Sequence, residues 1–290
     1  MEMVMNTQCL LCHLERNIEL ARKLGDEATA MDFARELMKM YLSAPENVSS
    51  PHFAADTESL LQKFYGVAQD RFAQEKQESN RFVLERMDEL RTLAAKQEDP
   101  VLAGLKLAIL GNYIDFSALR GKVSFSVLDE MIASALEMEL ESAVYQKLRG
   151  DLKNAKRLLY VTDNAGEIGF DRIFAEAIHA QYPQVDITFC VRGGPAANDA
   201  TRADAEAVGI PFKVIDNGNR VPGTQIDLLG KEALDALNAA DVILAKGMAN
   251  CETMFGCGYN VYYAFLVKCQ RFVDRFQKPM LTPMLVKERT

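Results

Sequence analysis

From about residue 155 onward, apolar runs of four to seven residues alternate with stretches of helical periodicity. The runs are Arg157–Thr162, Asp186–Val191, Phe212–Ile215, Asp241–Ala245, Val261–Val267 and Met280–Val286, with helix candidates at 168–181, 199–208 and 226–238. Continuous apolar runs of this length are strands buried on both faces, and strand–helix–strand alternation requires βαβ units and a mostly parallel sheet. The first 150 residues have a different texture, with apolar residues recurring at near-helical spacing and no alternation of period two. Gly25, the loop from Pro45 to Pro51, and Asp99 with Pro100 punctuate that helical series. The expected architecture is α/β: a helical N-terminal region (1–150) packed on a Rossmann-like three-layer α/β/α core (151–290) that carries the chemistry.

Composition narrows the function classes. Half the residues are apolar and a quarter charged, as in a soluble globular protein. No run approaches the length of a membrane span and no signal peptide opens the chain, so a cytoplasmic location without membrane contact is expected. A net charge of −8 argues against a nucleic-acid partner, which would require a basic face. Six cysteines in a chain this long do not read as a disulfide scaffold; Cys190 and Cys269, each in an apolar run, read as buried small hydrophobes.

The informative residues stand where strands end. Leu158-Leu159-Tyr160-Val161-Thr162 runs into Asp163-Asn164-Ala165-Gly166-Glu167, and acidic residues then open an amphipathic segment. Ligands of open α/β sheets bind outside the carboxyl ends of strands. A carboxylate beside an amide carbonyl there offers oxygen ligands of the kind that Mg²⁺ or Mn²⁺ prefers. Asp and Asn are also ordinary turn and N-cap residues, so this pair alone does not decide. The second strand ends in Arg192-Gly193-Gly194-Pro195 and reaches Asn198-Asp199, either of which could cap the following helix. The fourth ends in Lys246-Gly247, with Asn250 and Glu252 close behind. If those strands are neighbours, Asp163, Asn164 and Asp199 converge around one cation while Lys246 approaches an anionic ligand. Metal plus lysine is a usual way to stabilise charge on a transferring phosphoryl group. Cys9-Leu10-Leu11-Cys12-His13 reads more readily as core packing than as half a zinc site, although Cys251, Cys257 or His52 could complete one through the fold. His179 lies in a helical pattern and reads as structural. No Walker loop, dinucleotide fingerprint or Ser-His-Asp arrangement is present.

Taken in order, these segments resemble the metal-dependent damage-control phosphatases. The likeness rests on Asp163-Asn164-Ala165-Gly166-Glu167 with Phe170-Asp171, on Pro195 to Asn198-Asp199, and on Lys246-Gly247 to Asn250 and Glu252. It continues through Leu266-Val267-Lys268-Cys269. Cys9-x-x-Cys12 and Gly111-Asn112-Tyr113-Ile114-Asp115-Phe116 resemble the largely prokaryotic subfamily. The resemblance implies hydrolysis of phosphate monoesters of small metabolites, such as sugar phosphates or nucleotide- and cofactor-related phosphates, and a role in metabolite damage control. It implies one divalent ion (Mn, Mg, Co or Ni) on Asp163, Asn164 and Asp199, and phosphate bound by Lys246. Asn112, Asp115, Glu167, Asn250 and Glu252 match positions that line the substrate pocket. Met248-Ala249 departs from the family pattern, which is more polar there. Asp163 or Asp199 could serve as nucleophile as well as ligand, and the sequence does not choose between them.

Three other functions share parts of this pattern. A haloacid-dehalogenase-type phosphatase needs a second Asp two residues after the first, where this chain has Ala165. A Rossmann-like methyltransferase or nucleotide-binding module, with Asp163 on a ribose, lacks its glycine fingerprint. A metal or redox sensor would be built on Cys9 and Cys12.

Overall fold

The computed structural model describes residues 3–115, 119 and 122–288; Phe116, at the end of one sequence motif, lies outside them. Helices α1 (Thr7–Leu24), α2 (Glu27–Ser43), α3 (Ala54–Tyr65), α4 (Ala73–Ala95), α5 (Pro100–Gly111), α6 (Phe125–Ser134) and α7 (Ser142–Asn154) precede the first strand. Then follow β1 (Arg157–Val161), α8 (Glu167–Gln181), β2 (Asp186–Val191), α9 (Arg202–Ala207), β3 (Lys213–Asp216), α10 (Lys231–Ala239), β4 (Val242–Lys246), α11 (Gly247–Met254), β5 (Val261–Leu266), α12 (Gln270–Phe276) and β6 (Pro283–Lys287). The sheet runs β3-β2-β1-β4-β5-β6, parallel except for β6, which pairs antiparallel with β5. β1 is flanked by β2 and β4, so the strand order reverses there, the place where ligands of open α/β sheets bind, beyond the strand's carboxyl end.

Alternation along each strand feeds two cores. Leu158 and Tyr160 of β1 join Leu105, Leu110, Ile168, Phe170 and Phe174 on one side, whereas Leu159 and Val161 join Leu237, Cys251 and Phe272 on the other. Helices therefore cover both faces, as the three-layer reading expected. Phe33, Leu37 and Leu61 of α1–α3 form a third, separate cluster with Ala21 and Ala30. Helix α5 is apolar nearly all round and buried along its length, with Pro100 in its first turn and the Asp99 side chain capping Leu102 N–H. It lies hard against α8 because two glycines face it: a Cβ on Gly104 would sit 3.0 Å from Phe174 Cα, and one on Gly111 2.8 Å from the Phe170 ring. That approach delivers Asn112, the next residue, to the end of β1.

Several local expectations need correction. The helix read over 199–208 begins at Arg202, because Thr201 is its cap in a reciprocal box with Asp204. Asn198 and Asp199 therefore cap nothing; Asp199 instead forms a β-bridge with Asn164. The helix read from 226 begins at Lys231, after a short 3₁₀ turn (Ile226–Leu228) and Gly230. The last strand starts at Pro283 and not Met280, since Leu281 takes a left-handed turn conformation (φ 60°). Cys269 is only partly buried, and Cys190 is buried as expected. Among the described residues no helix is long and apolar enough to cross a membrane.

Candidate active site at the switch point

Beyond Val161 the chain keeps its ladder for one residue, as Thr162 N–H and Oγ1 both donate to Cys190 O at 3.1 Å. Asp163 follows, and Ala200 N–H donates to its carbonyl at 2.7 Å, which ties the Asp163 and Asp199 segments together. The turn closes at Gly166, whose φ of +76° suits glycine and whose N–H donates to Asn80 Oδ1 on α4 at 2.7 Å. The structure thus brings Asp163, Asn164 and Asp199 to one place. Lys246 ends β4 beside them.

The network around these residues is tight. Glu167, fully buried at the start of α8, accepts from Asn112 Nδ2, from Asn164 Nδ2 (2.6 Å) and from Lys246 Nζ (2.7 Å). Asn112 Nδ2 also donates to Asp163 Oδ2 at 3.0 Å, while its Oδ1 accepts from Leu266 N–H. Asn250 uses both ends of its amide, with Nδ2 on Thr162 O and Lys246 O and Oδ1 taking Thr224 Oγ1 and Arg192 Nη2. Asn112, Glu167 and Asn250 therefore tie α5, α8, β4 and α11 together around Asp163. Lys246 is committed in the same way. Its three ammonium protons go to Ala108 O, Glu167 Oε1 and Asp171 Oδ1, each at 2.7 Å, and none is left for a phosphate.

The lysine that keeps a proton is Lys268. Just past β5, it donates to Asn112 O (2.8 Å) and to Asp115 Oδ2 (2.5 Å), and has one donor to spare. Burial works against its charge, but Asp115, Asp163 and Glu167 outweigh burial and raise its pKa. The sequence motif included Lys268 without giving it a role; its place at a strand end, like that of Lys246, was the available signal. Arg192 was also passed over. It is buried beside Asp199, with Nε donating to Oδ2 at 2.7 Å.

Glu252 is not drawn into this cluster. Its carboxylate faces Arg271 at 3.9 Å, with Oε2 lacking a hydrogen bond, and Arg271 reaches on to Cys9 Sγ and Val4 O. Cys9 is buried and Cys12 exposed, and neither forms a disulfide. His179 packs edge-on against Phe212, a structural position.

The charge in the cluster favours a cation. Among the described residues it holds five buried carboxyl groups (Asp115, Asp163, Glu167, Asp171, Asp199) and three buried cations (Arg192, Lys246, Lys268), so full ionisation leaves an excess of negative charge. Burial first, then Asp199 and Glu167, push the Asp163 carboxyl well above the usual range. Burial lifts Asp199 to about 6 despite Arg192. Among the described residues Asp163 uses only Oδ2 in side-chain hydrogen bonds, and so does Asp199. Each keeps Oδ1 for a ligand, and Asn198 Oδ1, beside Asn164, is buried without a partner. No group of three His, Cys, Asp or Glu side chains among the described residues is placed to share a metal ion. The donor set is instead two carboxylates and an amide, oxygen ligands that suit a hard cation with its own waters.

The chain is similar to known proteins over most of its length. A family model for the damage-control phosphatase ARMT1-like domain matches residues 5–281. The damage-control phosphatase PH1575 of Pyrococcus horikoshii is 35% identical over 180 residues, covering 60% of this chain and 61% of that protein. A damage-control phosphatase of Archaeoglobus fulgidus is 28% identical over 238 residues, covering 81% of this chain and 80% of that one. The uncharacterized protein MJ0202 of Methanocaldococcus jannaschii is 29% identical over 286 residues, covering 91% and 88%. The crystal structure of a DUF89 family protein (PH1575) from Pyrococcus horikoshii superposes with a TM-score of 0.84 at 26% identity, covering 99% of this chain and all of that one. With a family match over residues 5–281 and a shared fold, the chain belongs to the damage-control phosphatase ARMT1-like family.

Proposed function

We propose that this phosphatase is metal-dependent and hydrolyses phosphate monoesters of small metabolites at the crevice between β1 and β4. The observation that carries the reading is the meeting of Asp163, Asn164 and Asp199 at the switch point, with spare carboxylate oxygens, beside the one lysine of the cluster that retains a donor. One divalent cation would be held by Asp163, Asn164 and Asp199, and bound there it supplies Lewis-acid polarisation of a phosphoryl oxygen. Lys268 donates its remaining N–H to a second phosphoryl oxygen, so positive charge is in place before charge develops. Asn112 and Asn164 fix the Asp163 carboxylate by donating to Oδ2, which presents Oδ1 to the crevice. Lys246 neutralises Glu167 and Asp171 beneath the site and keeps α8 and β4 together.

The test is hydrolysis of an aryl phosphate by metal-stripped protein, with Mg²⁺, Mn²⁺, Co²⁺ or Ni²⁺ added back, beside the D163A variant. Restored activity that the variant lacks supports the reading. Folded wild-type protein that stays inactive with every metal, or a D163A variant as active as wild type, would sink it.

A further inference from the structure

Arg192 follows β2 directly and its side chain is almost wholly buried, at 1% exposure. Its backbone N–H donates to Ala200 O at 2.9 Å, and Arg192 forms a parallel bridge with Thr201, so the segment that carries Asp199 lies against it. The guanidinium continues the grip. Nε donates to Asp199 Oδ2 at 2.7 Å, and Nη2 donates to Thr162 O at 3.3 Å and Asn250 Oδ1 at 3.2 Å. Asn250 is itself fixed by Thr224 Oγ1 at 2.8 Å and by its own donation to Thr162 O at 3.0 Å. One planar fork therefore joins the end of β1, the Asp199 segment and α11. Lysine, a point donor on a flexible stem, has no equivalent of that geometry. Packing does not account for the residue. Nη1 is buried with no partner, and a buried ion pair with an unmet donor is a poorer stabiliser than apolar side chains of the same volume.

We propose that Arg192 is a positioning residue for the cation site: by holding Asp199 Oδ2 it turns Oδ1 toward the cation shared with Asp163 and Asn164. This rests on the cation site proposed above. Arg192 acts on a ligand residue and not on substrate, so its loss shows first in metal affinity. Loss of a side chain that holds a metal ligand in place typically weakens metal affinity by roughly 10–100-fold.

The experiment compares wild type with Arg192→Met and Arg192→Lys, each checked for folding by circular dichroism. Mn²⁺ affinity is measured by calorimetry and KM for an aryl phosphate at saturating Mn²⁺. Expected are a Kd weakened roughly 10–100-fold in Arg192→Met, a value between the two in Arg192→Lys, and KM within about twofold of wild type. Wild-type Mn²⁺ affinity in folded Arg192→Met overturns the proposal, as does a raised KM with unchanged Kd, which would put Arg192 on the substrate. Should Arg192→Met not fold, Arg192→Lys decides alone: weakened affinity supports the proposal and wild-type affinity overturns it. Wild-type protein that binds no Mn²⁺ overturns the cation reading and this inference together. Wild-type protein that binds Mn²⁺ without hydrolysing phosphate overturns only the catalytic reading, and the Kd comparison still decides on Arg192.

Discussion

Gly247 lies so close to Asp163 that a Cβ on the glycine would stand 1.9 Å from Asp163 Oδ2 and 2.2 Å from its Cγ. Gly247 also has φ +77°, a backbone conformation that costs other residues on the order of 1–2 kcal/mol. Space and backbone angle both demand glycine here, at the point where β4 turns into α11. Gly247→Ala should displace the Asp163 carboxylate, lower kcat/KM by about 100-fold or more, and destabilise the fold by roughly 1–3 kcal/mol. Steady-state kinetics with urea denaturation checks both. Wild-type activity would mean that the Asp163 position does not matter to the reaction.

Two buried lysines at strand ends should behave differently when replaced. Lys246→Met leaves Glu167 and Asp171 without their cation in a fully buried setting, and breaking such a pair costs about 3–5 kcal/mol. Its main signature is therefore a large drop in Tm. Lys268→Met leaves Asp115, whose side chain keeps 11% exposure, so the loss of stability should be smaller. Its kcat should fall about 100–1,000-fold, the scale of a lost charge-stabilising donor. Thermal unfolding and kinetics on the two variants separate the roles, and the reverse pattern would return the phosphate to Lys246.

The sheet was legible because strands buried on both faces leave continuous apolar runs, and the polar residues that end them stand out against that background. Asp163, Asn164 and Asp199 come together because β1 and β2 are neighbours, which the strand-end pattern already suggests. What sequence could not supply is which donors are already spent. Lys246 and Lys268 look alike in a string of letters, and only the approach of Ala108, Glu167 and Asp171 makes one of them saturated. Asn112 reaches the site through the α5–α8 contact, whose closeness depends on Gly104 and Gly111 facing Phe174 and Phe170. Arg192 stands before Gly193 and Gly194 at the end of an apolar run, and nothing in that pattern shows its guanidinium turning back onto Asp199. Helices α11 and α12, at eight and seven residues, are too short to show a periodicity.

Metal should stabilise the protein, and more so at higher pH. Asp199 is lifted to about 6 by burial, so below that pH the folded site holds protons that compete with a cation. Between the unfolded value of about 3.9 and about 6 the unfolded Asp199 is ionised while the folded one resists, so its contribution to metal-free stability is lost by the time pH passes about 6. A cation that binds only the folded form at 100 times its Kd adds about 2.7 kcal/mol. Mn²⁺ should therefore raise Tm at pH 7.5, do little at pH 5, and do little at either pH in Asp199→Asn. Differential scanning calorimetry with and without chelator measures this, and a Tm indifferent to Mn²⁺ at pH 7.5 would count against the donor set.

Glu252 gives a pH dependence of its own, separate from the cation site. Burial pushes its carboxyl up to about 7, partly offset by Arg271. A folded pKa above the unfolded value of about 4.3 means that stability is greatest while the group is protonated. As pH rises from 4 the unfolded chain ionises freely, the folded one resists, and the contribution is lost by the time pH passes 7. Glu252→Gln cannot ionise, so it should match wild type near pH 4 and exceed it at pH 8 by up to about 3 kcal/mol. Urea denaturation at the two pH values gives the difference directly. Activity provides the second readout: with its carboxylate turned to Arg271, the variant should retain kcat/KM within a few fold, whereas a loss as deep as that of Asp163→Ala would place Glu252 in the crevice after all.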